Sequence, residues 1–150
     1  HIRQLFASRL YMQNGYSGIV DKGSDGYVTM AKMKKASILI EQGKLAEGLK
    51  IYKDLEKNAV DQSFRDIATI LFVLNSLNNE SKDDLLKKIT PLENSEIWKS
   101  SALELKGYIY LRNNEIDKAI EAFETISKLP SKPGDLSQRA KNLINLLKEK

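Results

Sequence analysis

Along most of the chain, apolar residues return at every third or fourth position, the period of a helix face. Between Leu45 and Lys57 the apolar or small positions are Leu45, Gly48, Leu49, Tyr52 and Leu55, with charged residues between them. This predicts an amphipathic helix over 45–57. The same reading predicts helices over 26–41, 62–77, 82–89, 95–111, 115–128 and from Gly134 to about Leu147. A first helix over 2–13, continuing with a bend to Val20, has Leu5, Phe6, Leu10 and Tyr11 to bury. Residues Ile67 to Leu74 are apolar nearly all round, so that helix is expected to be buried on more than one side. Ser24 or Asp25, Asp61 and Ser81 are candidate N-caps, and Gln42-Gly43, Pro91 and Asn113-Asn114 are breaks. No segment alternates with a period of two. Short gaps between helices make antiparallel pairs.

The pairs repeat. Gly107-x2-Tyr110, then Ala119-x3-Phe123, then Pro130 form one pattern. Moving 34 residues back from Ala119 and Phe123 reaches Leu85 and Ile89, and moving 37 further reaches Gly48 and Tyr52. The small first-helix position at Gly107 becomes Val73 in the second copy and Ala36 in the first. The physical reading is that Gly107 lets two helices approach, Tyr110 fills the gap beside it, Ala119 is small at the crossing, and Phe123 plugs the space beyond. The repeat-packing set is therefore Ala36, Gly48, Tyr52, Gly107, Tyr110, Ala119 and Phe123. Three units follow, at about 29–58, 66–92 and 100–130, with a capping helix over 134–148 that hides the last apolar face. All are expected within a single domain, 1–150.

This spacing resembles the tetratricopeptide repeat, although Leu103 stands where Trp is usual and Lys106 where Leu is usual. The resemblance implies an all-α array of antiparallel helix hairpins, a right-handed solenoid of about three units. A closer likeness lies in Gly26-Tyr27-x3-Ala31, in Glu104-Leu105-Lys106-Gly107, and in the run from Pro133 to Ala140. There the chain resembles the tetratricopeptide-like domain of bacterial envelope proteins, the family of the ancillary Sec-translocon subunit. That likeness implies a single membrane anchor upstream of residue 1 and a domain on the periplasmic face of the inner membrane. It also implies a role in protein–protein contact. The chain opens at His1, which fits a fragment, a processed chain or an added residue.

Composition narrows the chemistry. The chain has 150 residues, 41% hydrophobic and 29% charged, with no cysteine and one histidine, His1. Thiol nucleophiles, zinc–thiolate sites and multi-His metal sites have no residues to build them. No serine has a partner histidine. The pairs Gly15/Gly18 and Gly23/Gly26 lack the Lys-Ser/Thr tail of a phosphate loop. The carboxylate pairs Asp83/Asp84 and Glu121/Glu124 have lysines at helical spacing and read as solvated ion pairs. Asn79-Glu80-Ser81 fits a glycosylation sequon. Neither cofactor nor metal is expected, and the function expected is that of a non-enzymatic scaffold. The net charge of +4 and the cluster Lys32/Lys34/Lys35 leave one alternative, a cytoplasmic helical-repeat nucleic-acid binder. A hydrolase would need carboxylates converging in a cleft, with Glu104 as a candidate.

The first helix of each unit is expected to line a partner groove. The positions not used in packing are Met30, Met33 and Ser37, then Ile70 and Leu74 with Ile67, then Glu104, Tyr108 and Arg112 with Ser101. Such a groove, apolar with one polar end, suits an amphipathic helix or an unfolded apolar segment. The positions for a Lys/Asn carboxylate clamp are Met33, Ser37, Leu71, Ser101 and Leu105, none of which fits that chemistry. In the opposing reading, Ile67, Ile70 and Leu74 pack under the N-terminal helix and leave little groove.

Overall fold

A computed structural model describes residues 25–130 and 134–149. The helix expected over 2–13, its continuation to Val20 and the turn at Pro133 lie outside the described residues. Among those residues the fold is all-helical: α1 (25–41), α2 (Leu45–Asn58), α3 (Gln62–Asn75), α4 (Lys82–Ile89), α5 (Lys99–Arg112), α6 (Ile116–Ser127) and α7 (Gly134–Lys148). A 3-10 turn, Thr90–Asn94, links α4 to the residues before α5.

Helices α2, α4 and α6 begin at Leu45, Lys82 and Ile116, at the same spacings of 37 and 34 residues read from the sequence. The equivalent packing positions are buried in all three copies. Ala36, Val73 and Gly107 are buried in the first helices; Gly48, Leu85 and Ala119, and Tyr52, Ile89 and Phe123, are buried in the second.

The turns repeat as well. At the end of α1, the Gly43 N–H donates to the Ile40 carbonyl and the Lys44 N–H to the Leu39 carbonyl, with Gly43 at φ +81°. At the end of α5, the Asn114 N–H donates to Leu111 and the Glu115 N–H to Tyr110, with Asn114 at φ 59°. Each is the two-bond Schellman closure, which needs one left-handed residue. Glycine supplies it once, and asparagine, the side chain most tolerant of that region, supplies it the second time.

Caps set the other boundaries. The Asp61 carboxylate accepts from the Phe64 N–H at 2.9 Å, and the Ser81 hydroxyl accepts from the Asp84 N–H at 3.2 Å. Ser95 accepts from the Trp98 N–H at 3.2 Å, but regular helix begins only at Lys99, four residues later than expected. Pro91 does not stop the chain's coiling. It sits at the start of the 3-10 turn, where its missing N–H costs no bond.

The chain packs as two compact halves, one closing at Ser76 and one opening at Leu77. The division falls within 66–92, the residues expected as the second repeat. In the first half α2 packs on α3, and the Arg65 guanidinium donates to the Ala59 carbonyl at 3.0 Å across their connection. In the second half α6 packs on both α5 and α7. Its core joins Leu103, Ala119, Phe123 and Ile126 to Leu136, Ala140, Ile144 and Leu147 of α7. The outer face of α7 is polar, at Gln138, Lys141, Asn142 and Asn145, apart from Leu146. An amphipathic end helix of this kind covers the last apolar face of a helix array.

Candidate interaction surfaces

The hairpins are held close by glycines. A Cβ on Gly48 would lie 2.6 Å from Cγ1 of Ile40 and 2.8 Å from the Ala36 carbonyl oxygen. In the third copy the glycine is on the other helix: a Cβ on Gly107 would stand 2.6 Å from Cε1 of Phe123. The Tyr108 ring meets Phe123 edge-on, with centroids 5.8 Å apart. Tyr110 is half-buried, and the Lys118 ammonium lies 5.6 Å from its ring centroid.

The expected groove does not survive as an open surface. Met33 is 0% exposed, Ile70 0% and Leu74 3%. Met33 shares the buried face of α1 with Ala36, three residues on. Ile70 and Leu74 belong to a helix buried nearly all round, as is Ile67. The polar end is closed too. Glu104 is 1% exposed: its carboxylate accepts from the Tyr108 hydroxyl at 2.6 Å and lies 2.9 Å from the Arg139 guanidinium of α7. Arg139 also reaches Asp135 at 3.6 Å. A buried carboxylate held this way ties α7 to α5 and does not face solvent as a docking or reacting group. Ser101, one turn before it, is buried with no hydrogen-bond partner for its hydroxyl. Of the expected groove residues, Met30, Ser37 and Tyr108 are half-buried and Arg112 is exposed. Four of the eight, Met33, Ile70, Leu74 and Glu104, are thus buried and do not offer their side chains to a partner at the surface.

Ion pairs organise the second half. Glu115, which immediately precedes α6, accepts from Lys118 at 2.9 Å and from Lys82 at 3.0 Å. The Lys118 hydrogen bond, then that of Lys82, holds the Glu115 carboxyl below its ordinary range, and Glu115 in turn raises Lys118. Lys106 pairs with Glu93 at 3.3 Å, and Lys148 with Glu124 at 3.1 Å. An open groove of about 550 Å³ runs between α6 and α7, lined by Ile116, Asp117, Ile120, Leu147 and Lys148.

Sequence reasoning did not single out one run of exposed apolar side chains. Tyr27 is 61% exposed, Val28 52% and Ile38 41%, all on α1. Lys32, Lys34 and Lys35 are exposed on the same helix. The signal was present in the spacing of Tyr27, Ala31 and Ile38, on the helix side opposite Met33 and Ala36.

Among the described residues, no group of three or more His, Asp or Glu side chains is placed to hold a metal ion. Among them also, no helix is long and apolar enough to cross a membrane. Comparison with curated proteins and with solved structures returned no match. The family model described as "Tetratricopeptide repeat-like domain" matches residues 12–142. Domains of this kind generally bind other proteins and are typically non-catalytic. With most of its length matched, the chain belongs to the tetratricopeptide repeat-like family.

Proposed function

We propose that the chain is a non-enzymatic scaffold for other proteins, on the periplasmic face of a bacterial inner membrane, beside the secretion or envelope-folding machinery. The observation that carries the scaffold is the family match over 12–142 on a chain of paired helices. The periplasmic placement is supported by the residues that resemble the envelope family, Gly26-Tyr27-x3-Ala31, Glu104 to Gly107 and Pro133 to Ala140. In this reading the protein reaches its membrane through an anchor upstream of residue 1 and takes no cofactor.

Protease added to spheroplasts that carry the full-length protein tests the placement, and affinity capture from crosslinked envelopes tests the role. Digestion without lysis, with recovery of translocon subunits, chaperones or exported clients, is the expected result. Protection until lysis, with recovery of cytosolic proteins, would overturn the placement. The exposed lysines of α1 favour one second reading, a cytoplasmic nucleic-acid binder. Its mark would be RNA or DNA affinity that falls steeply with salt.

A further inference from the structure

We propose that the outward face of α1 is the docking surface of this scaffold, and that its occupant is an acidic amphipathic helix of a partner protein. The proposal rests on the scaffold reading and adds a place and a partner chemistry to it.

Tyr27, Val28 and Ile38 are large apolar side chains that stand exposed, and all three lie on this helix. At about 100° per residue, Tyr27, Ala31 and Ile38 fall within about 40° of arc. That line runs about 16 Å along the helix. It lies on the side opposite the buried Thr29, Met33 and Ala36. Lysines border it. Lys34 falls on one edge of the line, and Lys35 on the other, beside Val28. None of Lys32, Lys34 and Lys35 is held in an ion pair with a described residue.

A narrow apolar seam with lysines at its edges has the layout of one strand of a helix pair, with apolar contacts in the seam and charges flanking it. The complementary strand carries apolar residues at i, i+4 and i+11 and carboxylates beside them. A membrane surface suits this face less well. Helices that lie in a bilayer interface bury a broad apolar face, and here the apolar line is narrow, about 40° of arc, with Lys34 at its edge. A phosphate backbone would engage the lysines but leave Tyr27, Val28 and Ile38 uncovered.

The test uses the full chain and a synthetic helical peptide with Leu at i, i+4 and i+11 and Glu at the flanking positions. Fluorescence anisotropy is read at 50 and 300 mM salt. The control is the same composition in scrambled order. The peptide is expected to bind at least tenfold more tightly than its scrambled form and to weaken with salt. Lys34→Glu/Lys35→Glu is expected to weaken it at least tenfold with helicity and melting temperature unchanged, and a Lys-flanked peptide to restore binding to that variant. Equal binding of the ordered and scrambled peptides, or no effect of the charge reversal, would overturn the proposal. So would absence of peptide binding together with binding to vesicles of phosphatidylcholine and phosphatidylglycerol, or to a single-stranded RNA, lost in the same variant. If the peptide fails while crosslinked envelopes still yield protein partners, this face is wrong and the scaffold reading stands. If both fail, the scaffold reading falls with it.

Discussion

Gly43 and Asn114 stand 71 residues apart and close the same turn, each in the left-handed region and each ending the first helix of a hairpin. The two are not equivalent in cost. Glycine enters that region freely, whereas a side chain with a Cβ is strained there by about 1–2 kcal/mol, asparagine least. Nothing lies within 4 Å of a Cβ on Gly43, so Gly43→Ala isolates the backbone effect and is expected to destabilise by about 1 kcal/mol. Asn114→Gly is expected to be neutral or slightly stabilising, and Asn114→Val to cost more than Gly43→Ala. Urea midpoints of the three variants check the order. If Asn114→Val is harmless, the turn is not what closes α5.

Gly107 and Phe123 form a size-complementary pair. Gly107→Ala forces its new methyl into the Phe123 ring and is expected to cost about 1–3 kcal/mol. Adding Phe123→Leu should recover part of that loss, although Phe123→Leu alone destabilises. A double-mutant cycle by chemical denaturation reads the coupling. Additive losses would show that the ring had moved away.

Glu104 and Arg139 tie α5 to α7. Replacing Arg139 by methionine leaves the buried Glu104 carboxylate with only the Tyr108 hydroxyl among these two partners, and is expected to cost about 3 kcal/mol. The double variant Glu104→Met/Arg139→Met should be markedly more stable than Arg139→Met, because it also removes the buried carboxylate that Arg139 met. Hydrogen exchange should show the loss in Arg139→Met concentrated in α7.

Glu115 sets a pH dependence. Its carboxyl is held low in the folded chain, by Lys118 first and Lys82 second. A depressed carboxyl adds stability above its unfolded pKa, and that stability is lost as pH falls through the folded value. The window opens below the ordinary carboxyl value of 4.5. Lys118 is raised above 10.5, so its share is present below that value and lost at higher pH. Glu115→Gln is expected to flatten both limbs of the stability profile between pH 3 and 12, with thermal melting as the readout. An unchanged acid limb would contradict the assignment.

Much of the architecture was legible locally. The caps at Asp61 and Ser81 and the breaks at Gln42-Gly43 and Asn113-Asn114 are properties of a few consecutive residues, and periodicity placed the helices around them. The start of α5 was misplaced because Ser95 does cap a turn, and only the geometry after it shows that regular helix waits until Lys99. The expected groove was not legible. A glutamate on a helix reads as solvent-facing, and nothing near Glu104 in the chain announces that Arg139, on another helix, comes to meet it. Met33, Ile70 and Leu74 failed for a related reason: a repeat frame says which positions pack within a hairpin, not what covers the remaining ones. The α1 face was read as a charge cluster and, at Tyr27 and Ala31, as part of a family likeness, because the lysines are near neighbours in sequence while Tyr27, Ala31 and Ile38 are joined only by the helix.

The account's central claim is that this chain holds proteins through the outward face of α1, and a photo-crosslinking residue at position 38 of the full-length protein tests it most directly, with position 145 on the polar face of α7 as the control. In living cells, discrete protein adducts from 38 that are absent from 145, carrying an acidic helical segment at the crosslink when mapped by mass spectrometry, are the predicted result. Adducts to RNA, or no adduct from 38 above the control, would contradict it.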